Sequence, residues 1–470
     1  MCGRYVARIE AALQAEWHLI RHVPPFVSYN VAPTQQVPVV RPTARFVFSH
    51  PAHAMALAFG AGLSDPDRPI GYGVFLAGLH PISHSVFLIA VVQHLLGLAT
   101  AVAAYVFLRR WGVRGRLAMV ATLPLLFDQM QLVLEHSILS DVLFDLLLMV
   151  ALLVLGWRRR PTVGAAALAG LVLGLATVVR VVGEPLILVA AAFLLVVGAS
   201  LRRRVLLAGV AVAAFALPVA AYVGWYHSAN GSWALTEASG RSLYMRTTSF
   251  VDCSLVELPA YEQPLCPAEP LGQRLDPTQY GWHSTAVHEL AVPPGMTANQ
   301  VLKDFAMRAI RAQPADYVQV VLRDAALPFW SPARVDRYEY DTAHKWMFAT
   351  WVDYHPTSWT LPAYLEYGGQ LPSSEQPWAG ILTVYGLIVA VPGPVMLALL
   401  VVSLAGLVVR RGRAAPPRAL LLLVLLSGLG LSLVPDVTAE FVWRYQLPLT
   451  MLLPLAAALA WTRLRDRGAA

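Results

Sequence analysis

Residues 127–145, FDQMQLVLEHSILSDVLFD, decide how the chain is read. Asp128, Glu135, His136, Asp141 and Asp145 stand there between two long apolar runs. Carboxylates near a bilayer are expensive, so where they persist they face a bundle interior or a water-filled cavity and mark a working site. Glu135 and Asp141 fall where the chain must turn back at a membrane surface, and Asp128 and Asp145 fall deeper. The apolar part of the chain gathers carboxylates nowhere else in this way. Any chemistry is expected here.

Outward from this stretch the composition sets the class. Of 470 residues 57% are hydrophobic and 13% charged, with a mean hydropathy of +0.56. That balance excludes an ordinary soluble globule and fits a polytopic protein of the lipid bilayer. Nine apolar runs, at 84–108, 117–134, 138–156, 163–181, 184–199, 205–225, 381–409, 419–435 and 445–462, reach or approach the length a crossing helix needs. The run at 184–199 is short and 419–435 is marginal. Arginines cluster at 109–116, 158–160, 202–204, 410–418 and 463–467, always after an odd-numbered run. All of them therefore fall on one side, which the positive-inside rule makes cytoplasmic. The net charge of +7 belongs to this topology and does not call for nucleic acid.

The expected fold is an all-α polytopic membrane protein of about nine transmembrane helices, with an external domain of mixed composition between helices 6 and 7. Residues 43–83 form an external loop with a short interfacial helix, because the apolar stretch 52–63 is too short to span. Residues 84–225 hold helices 1–6, 226–382 the external domain, 383–462 helices 7–9, and 463–470 a basic cytoplasmic tail. The plasma membrane is the expected location, with 226–382 outside. Within that domain 298–324 has helical spacing with a break at Pro314. Cys253 and Cys266 are either a disulfide or two thiols. The same parity leaves residues 1–83 outside, and one further span upstream would place the N-terminus inside.

Residues 1–42 read differently. Met1-Cys2-Gly3-Arg4-Tyr5 and Tyr29-Asn30-Val31-Ala32-Pro33-Thr34 resemble the start of the SRAP family of abasic-site-processing proteins. The resemblance implies Cys2, exposed by removal of Met1, and Asn30 as site residues acting on abasic single-stranded DNA. The later catalytic Glu and His of that family have no counterpart here. About forty residues seldom fold without a staple, so the segment reads as an inert fused fragment. An SRAP-type DNA-repair protein acting through Cys2 is the alternative.

The rest resembles a membrane enzyme class. Arg68-Pro69-Ile70-Gly71-Tyr72, the EHSILSDVLF of 135–144, the GLVLGLATVVR of 170–180, and Arg444-Tyr445 with Pro448 occur in order. Together they resemble the GT-C class of integral membrane glycosyltransferases over about 50–462. The resemblance implies transfer of a sugar from a polyprenyl-phosphate donor to an acceptor on the external face. That class carries a key acid in its first external loop. Here the matching place is Ser49-His50, and the loss of that acid would leave the chain inactive if it is essential.

Such a transfer needs a carboxylate for the acceptor hydroxyl and cations for the leaving phosphate. Asp141 is the first candidate for the carboxylate, or for a ligand of Mg²⁺ or Mn²⁺, since oxygen ligands suit those ions. Glu135 and His136 are candidate helpers; the bland reading is that these groups cap the following helix. Arg180 and Arg444, with Tyr445 beside them, are candidates for the donor phosphate, or are structural ions paired with Glu184 and Glu440. Asp65 and Asp67 either bind a cation or substrate or belong to a solvated loop. Gln93 and His94 read as packed polar residues. A transporter or non-catalytic membrane protein is the alternative class.

Overall fold

The computed structural model describes residues 67–197, 200–331, 346–348, 376–409 and 415–465. Cys2, Asn30, Asp65, the stretch 52–63 and Ser49-His50 lie outside them. The described residues are mostly helical and contain no strand. A short α1 (Gly71–Leu79) precedes α2 (Val86–Arg110), α3 (Gly115–Phe127), α4 (Gln129–His136), α5 (Asp141–Gly156), α6 (Val163–Val179), α7 (Leu186–Val197) and α8 (Leu201–Asn230). After them come α9 (Ser239–Thr248), α10 (Ala298–Ala312), α11 (Pro314–Trp330), α12 (Trp378–Ile388), α13 (Gly393–Val408), α14 (Arg418–Thr438) and α15 (Leu447–Arg465). Side-chain caps start several of them. The hydroxyls of Ser85, Thr162 and Ser200 accept from Phe87, Ala165 and Arg203 amides, and Thr297 with Gln300 closes a reciprocal capping box.

Every apolar run of the sequence is helical here, but the helices differ in length. Four are long and apolar enough to cross a membrane: α2, α8, α14 and the 23 residues of Trp443–Arg465. Counting each bent pair, α3 with α4 and α12 with α13, as one span gives six. The count from length therefore stops short of the nine expected. The reason is geometric, because α5, α6 and α7 have 16, 17 and 12 residues. At the helical rise they reach at most about 25 Å, against a hydrocarbon core of about 30 Å. The outward faces are apolar, with Leu95, Leu98, Val102, Leu188, Leu217 and Val401 exposed, as suits a helix that meets lipid.

The two bends lock into each other. α3 and α4 meet at 46° and α12 and α13 at 42°. At the first break one oxygen of Asp128 accepts the Met130 amide and the other the Val391 amide, both at 2.9 Å. The Gln129 amide donates to the Val389 carbonyl at 2.9 Å. Backbone groups freed by two interrupted helices satisfy each other, the condition under which a break is tolerated at membrane depth.

The arginine-bearing helix ends gather at one end of the bundle. The Trp111 indole N–H donates to the Gly156 carbonyl at 2.8 Å, and Arg159 reaches Ala415 at 3.2 Å. Buried Arg463 donates to the Gly406 and Val409 carbonyls, at 2.9 and 3.0 Å, and to Pro416. Those bonds supply donors to carbonyls that the end of α13 leaves open. The first residues of α5 and α15 therefore lie at the opposite end, and the polar unit 231–331 packs there.

That unit is built from α9, α10, α11 and short turns around Tyr244, Val251, Leu265, Val301, Leu302 and Phe305. The break expected at Pro314 separates α10 from α11, where Pro314 takes the first helical position. Cys253 and Cys266 are joined by a disulfide. α9 crosses α10 at Gly240, whose amide donates to Asn299 at 2.6 Å; a Cβ there would lie 1.9 Å from the Asn299 carbonyl oxygen. Below, Arg246 donates to Asp324 at 2.8 Å and to the Asp436 carbonyl at 3.1 Å, tying the unit to α14.

Candidate functional site

A cavity of about 660 Å³ opens between the first turns of α5 and α15, the end of α6 and the underside of unit 231–331. Asp67, Asp141, Arg180, Arg444 and Tyr445, all singled out in the sequence, line it together. They come from stretches far apart in the chain, and each is delivered by a helix terminus. Asp141 opens α5, Arg180 ends α6, and Arg444 and Tyr445 lie in the turn that leads into α15.

Asp141 sits between the two arginines. Arg444 holds it side-on, with Nε at 3.1 Å from both carboxylate oxygens and Nη2 at 2.8 Å from Oδ2. Nη1 of Arg180 pairs with Oδ1. The partners are thus not Glu184 and Glu440, although both glutamates line the same cavity. Aromatic faces back the guanidiniums. Arg444 lies 4.9 Å from the Trp346 ring centre, and Tyr445 lies 5.9 Å from both guanidiniums. Trp346 is itself held at the α3–α4 break, where the Gln129 side chain donates to its carbonyl at 2.7 Å.

A guanidinium carries five N–H donors. Arg444 spends Nε and Nη2 on Asp141 and Arg180 spends Nη1. Among the described residues the other N–H groups of both are left over, and the trio by itself carries one surplus positive charge, while Asp145, Glu184 and Glu440 line the same cavity. The leftover N–H groups can take an oxyanion. Asp141 offers little to a metal, since both its oxygens already accept from guanidiniums. Among the described residues no group of three or more His, Cys, Asp or Glu side chains is arranged to hold a metal ion.

Glu135 and His136 do not line the cavity. They belong to a second polar cluster that includes His94, which the sequence reading set aside. The Glu135 carboxylate lies 2.5 Å from His94 Nδ1 and accepts from Gln131 at 2.8 Å, and His94 Nε2 lies 3.1 Å from His136 Nδ1. Gly97 makes room for this carboxylate, because a Cβ there would lie 1.8 Å from Glu135 Oε1. Gln93 connects the two clusters. It accepts from the Tyr72 hydroxyl at 2.7 Å, and its amide donates to the Glu135 and Ser137 carbonyls at 2.9 and 2.6 Å. Burial, then the negative charge of Asp141, pushes the Tyr72 phenol well above its usual range, so it stays a donor. Asp67 pairs with Arg241 at 2.7 Å and fastens the chain ahead of α1 to unit 231–331. It is thus more than a solvated loop residue.

The sequence reading gave no role to Tyr72, Trp346 or Asp145. Tyr72 lies in a quoted motif and Asp145 in the opening stretch, so a signal existed for both; Trp346 gave none. No family model matches the chain, and no curated protein or solved structure matches it either.

Proposed function

We propose that the chain is a membrane glycosyltransferase that takes a sugar from a polyprenyl-phosphate donor. The observation that carries the reading is Asp141 clasped by Arg180 and Arg444 on the wall of a cavity large enough for a sugar phosphate. The leftover guanidinium N–H groups hold the donor phosphate, and the prenyl chain lies along the apolar helix faces in the bilayer. The acceptor hydroxyl attacks the anomeric carbon, a new C–O bond forms, and the bond from that carbon to the phosphate oxygen breaks. The electron pair leaves with the polyprenyl phosphate. As charge grows on that phosphate the arginines turn toward it, and Asp141, released from them, takes the hydroxyl proton.

The membrane crossings fit this reading. Helix follows each of the nine apolar runs, and the arginine-rich ends meet at one face. That face is the cytoplasmic one, and the cavity and unit 231–331 lie outside, where a disulfide between Cys253 and Cys266 is at home.

The test uses the full chain in lipid nanodiscs with decaprenyl phosphate as probe. Arg444→Gln and Arg180→Gln should each weaken its binding by at least about tenfold, the worth of a charge-assisted hydrogen bond. Absence of binding by the wild-type protein, or binding by both variants as tight as by wild type, would sink the reading.

A further inference from the structure

One carboxylate in the cavity has no partner. Asp145 follows Asp141 by one helical turn on the same face of α5, roughly 6 Å farther along the helix axis. Its side chain is 2% exposed and lines the cavity. Neither of its oxygens has a hydrogen-bond partner. The same cavity is lined by the apolar Phe144, Leu431, Val434, Leu447 and Pro448 as well as by Arg180.

A buried carboxyl without a partner costs stability, and a pocket position lets a ligand remove that cost. Asp145 sits in a cleft whose upper wall already offers guanidinium N–H groups to an oxyanion. A ligand that satisfies both must carry an anionic phosphate and, about one helical turn away, groups that donate hydrogen bonds. Sugar hydroxyls joined directly to a phosphate meet that spacing. An alkyl or prenyl phosphate alone does not, because its carbon chain would be pressed against the carboxyl.

We infer that Asp145 is the residue that recognises the sugar of a glycosyl phosphate, accepting hydrogen bonds from its hydroxyls while Arg180 and Arg444 hold the phosphate. The inference rests on the donor-phosphate reading of the same cavity. Asp145 thereby separates a loaded carrier from a spent one. After transfer the carrier has lost the hydroxyls that Asp145 held, and its phosphate lies one helical turn above a carboxyl that again has no partner. Release of the spent carrier is favoured.

The experiment measures affinities of decaprenyl phosphate and of its mannosyl, glucosyl and arabinosyl esters for the full chain in nanodiscs. Soluble mannose 1-phosphate is added as competitor, to tell a water-borne headgroup from a lipid-borne one. The wild-type protein should prefer at least one sugar-bearing probe by about tenfold over bare decaprenyl phosphate, as a hydrogen bond to a charged group requires. Asp145→Leu should weaken the sugar-bearing probe and tighten the bare one, since an apolar side chain replaces the carboxyl that its carbon chain would be pressed against, so the ratio collapses. Asp145→Asn, which keeps an acceptor oxygen, should restore part of the preference. A misfolded variant would weaken both probes alike, which the opposite shifts distinguish. The inference is overturned if the preference survives Asp145→Leu, or if wild type binds bare and sugar-bearing probes equally. If wild type binds no decaprenyl phosphate at all, the donor reading fails first and this inference goes with it.

Discussion

At the cavity wall one carboxylate, Asp141, lies between two guanidiniums. Beneath unit 231–331 one guanidinium, Arg246, serves the Asp324 carboxylate and the backbone of Asp436, whose own carboxylate lies buried alongside. The same two residue types are used in opposite proportion. Arg246, Asp324 and Asp436 are all fully buried, and none of them lines the cavity. Arg180 and Arg444 keep 15% and 12% of their side chains exposed, and both line it. Enclosure makes the first cluster a fastening, because no ligand reaches it. Access makes the second a receptor, because its leftover donors and surplus positive charge face open space.

Removing the closed cluster's cation should give the largest effect. Arg246→Met leaves Asp436 buried without a guanidinium and Asp324 with only the half-exposed Arg323, whose Nε lies 3.5 Å from Oδ1. Breaking a buried pair in this way costs roughly 3–5 kcal/mol. Thermal unfolding of the purified protein in detergent should show a large fall that no added anion reverses. A loss under about 1 kcal/mol would mean that water reaches the cluster and that the contrast with the cavity is false.

Asp141→Asn tests the open cluster, and its effect falls on activity. Sugar transfer from a polyprenyl-phosphate donor should drop by at least about 100-fold, the usual contribution of a positioned base. Stability should fall by only about 1 kcal/mol, since water can reach the two arginines, and millimolar inorganic phosphate should restore it by binding them. Undiminished transfer would remove Asp141 from the mechanism. Failure of phosphate to restore stability would remove the anion site.

How much of this was legible beforehand depends on the kind of contact. Asp141, Arg180 and Arg444 stood out because each is charged and sits at the edge of an apolar run, where the cost of burial demands a reason. What the sequence did not show was that they meet one another. Asp141 and Arg444 are 303 positions apart, and Glu184 and Glu440 were nearer in the chain. The helices were legible from apolarity alone, but their membrane-spanning status was not. Run length ignores breaks such as Asp128, where a carboxylate takes over backbone bonds between two helices. His94, read as a packed polar residue, does pack, but its partners Glu135 and His136 come from another helix and could not be named from the sequence.

That histidine cluster lies between the two extremes, partly buried and hydrogen-bonded, and Gly97 gives access to its energetics. Gly97→Ala drives a methyl group into the space of the Glu135 carboxylate, which must swing away and give up His94. Overpacking of this kind costs roughly 1–3 kcal/mol. The loss should be smaller than for Arg246→Met and should shrink when Glu135→Ala is made in the same chain. Equal losses in both backgrounds would mean that helix α2 moves as a whole and that the carboxylate was never the obstacle.

Asp436 should give the smallest effect, and one of opposite sign. Both of its carboxylate oxygens are buried without a hydrogen-bond partner. Its backbone carbonyl, not its side chain, receives Arg246. The carboxyl therefore bears the expense of burial without a compensating bond, and it lies near Asp324, a second acid competing for the same cation. Asp436→Leu keeps the branching at Cγ in a somewhat larger side chain, leaves the carbonyl in place and relieves Asp324 of a neighbouring acid. A gain of about 1 kcal/mol in unfolding free energy is expected, in line with apolar replacement of buried ionic groups. The Asp145→Leu variant sharpens the contrast, since it also replaces an unpartnered buried acid and should also stabilise the empty protein. Only Asp145→Leu should alter ligand preference, because only Asp145 faces the cavity. A loss of stability in Asp436→Leu would show that its carboxylate takes part in holding unit 231–331, and the closed cluster would then balance its charges through a partner other than Arg246.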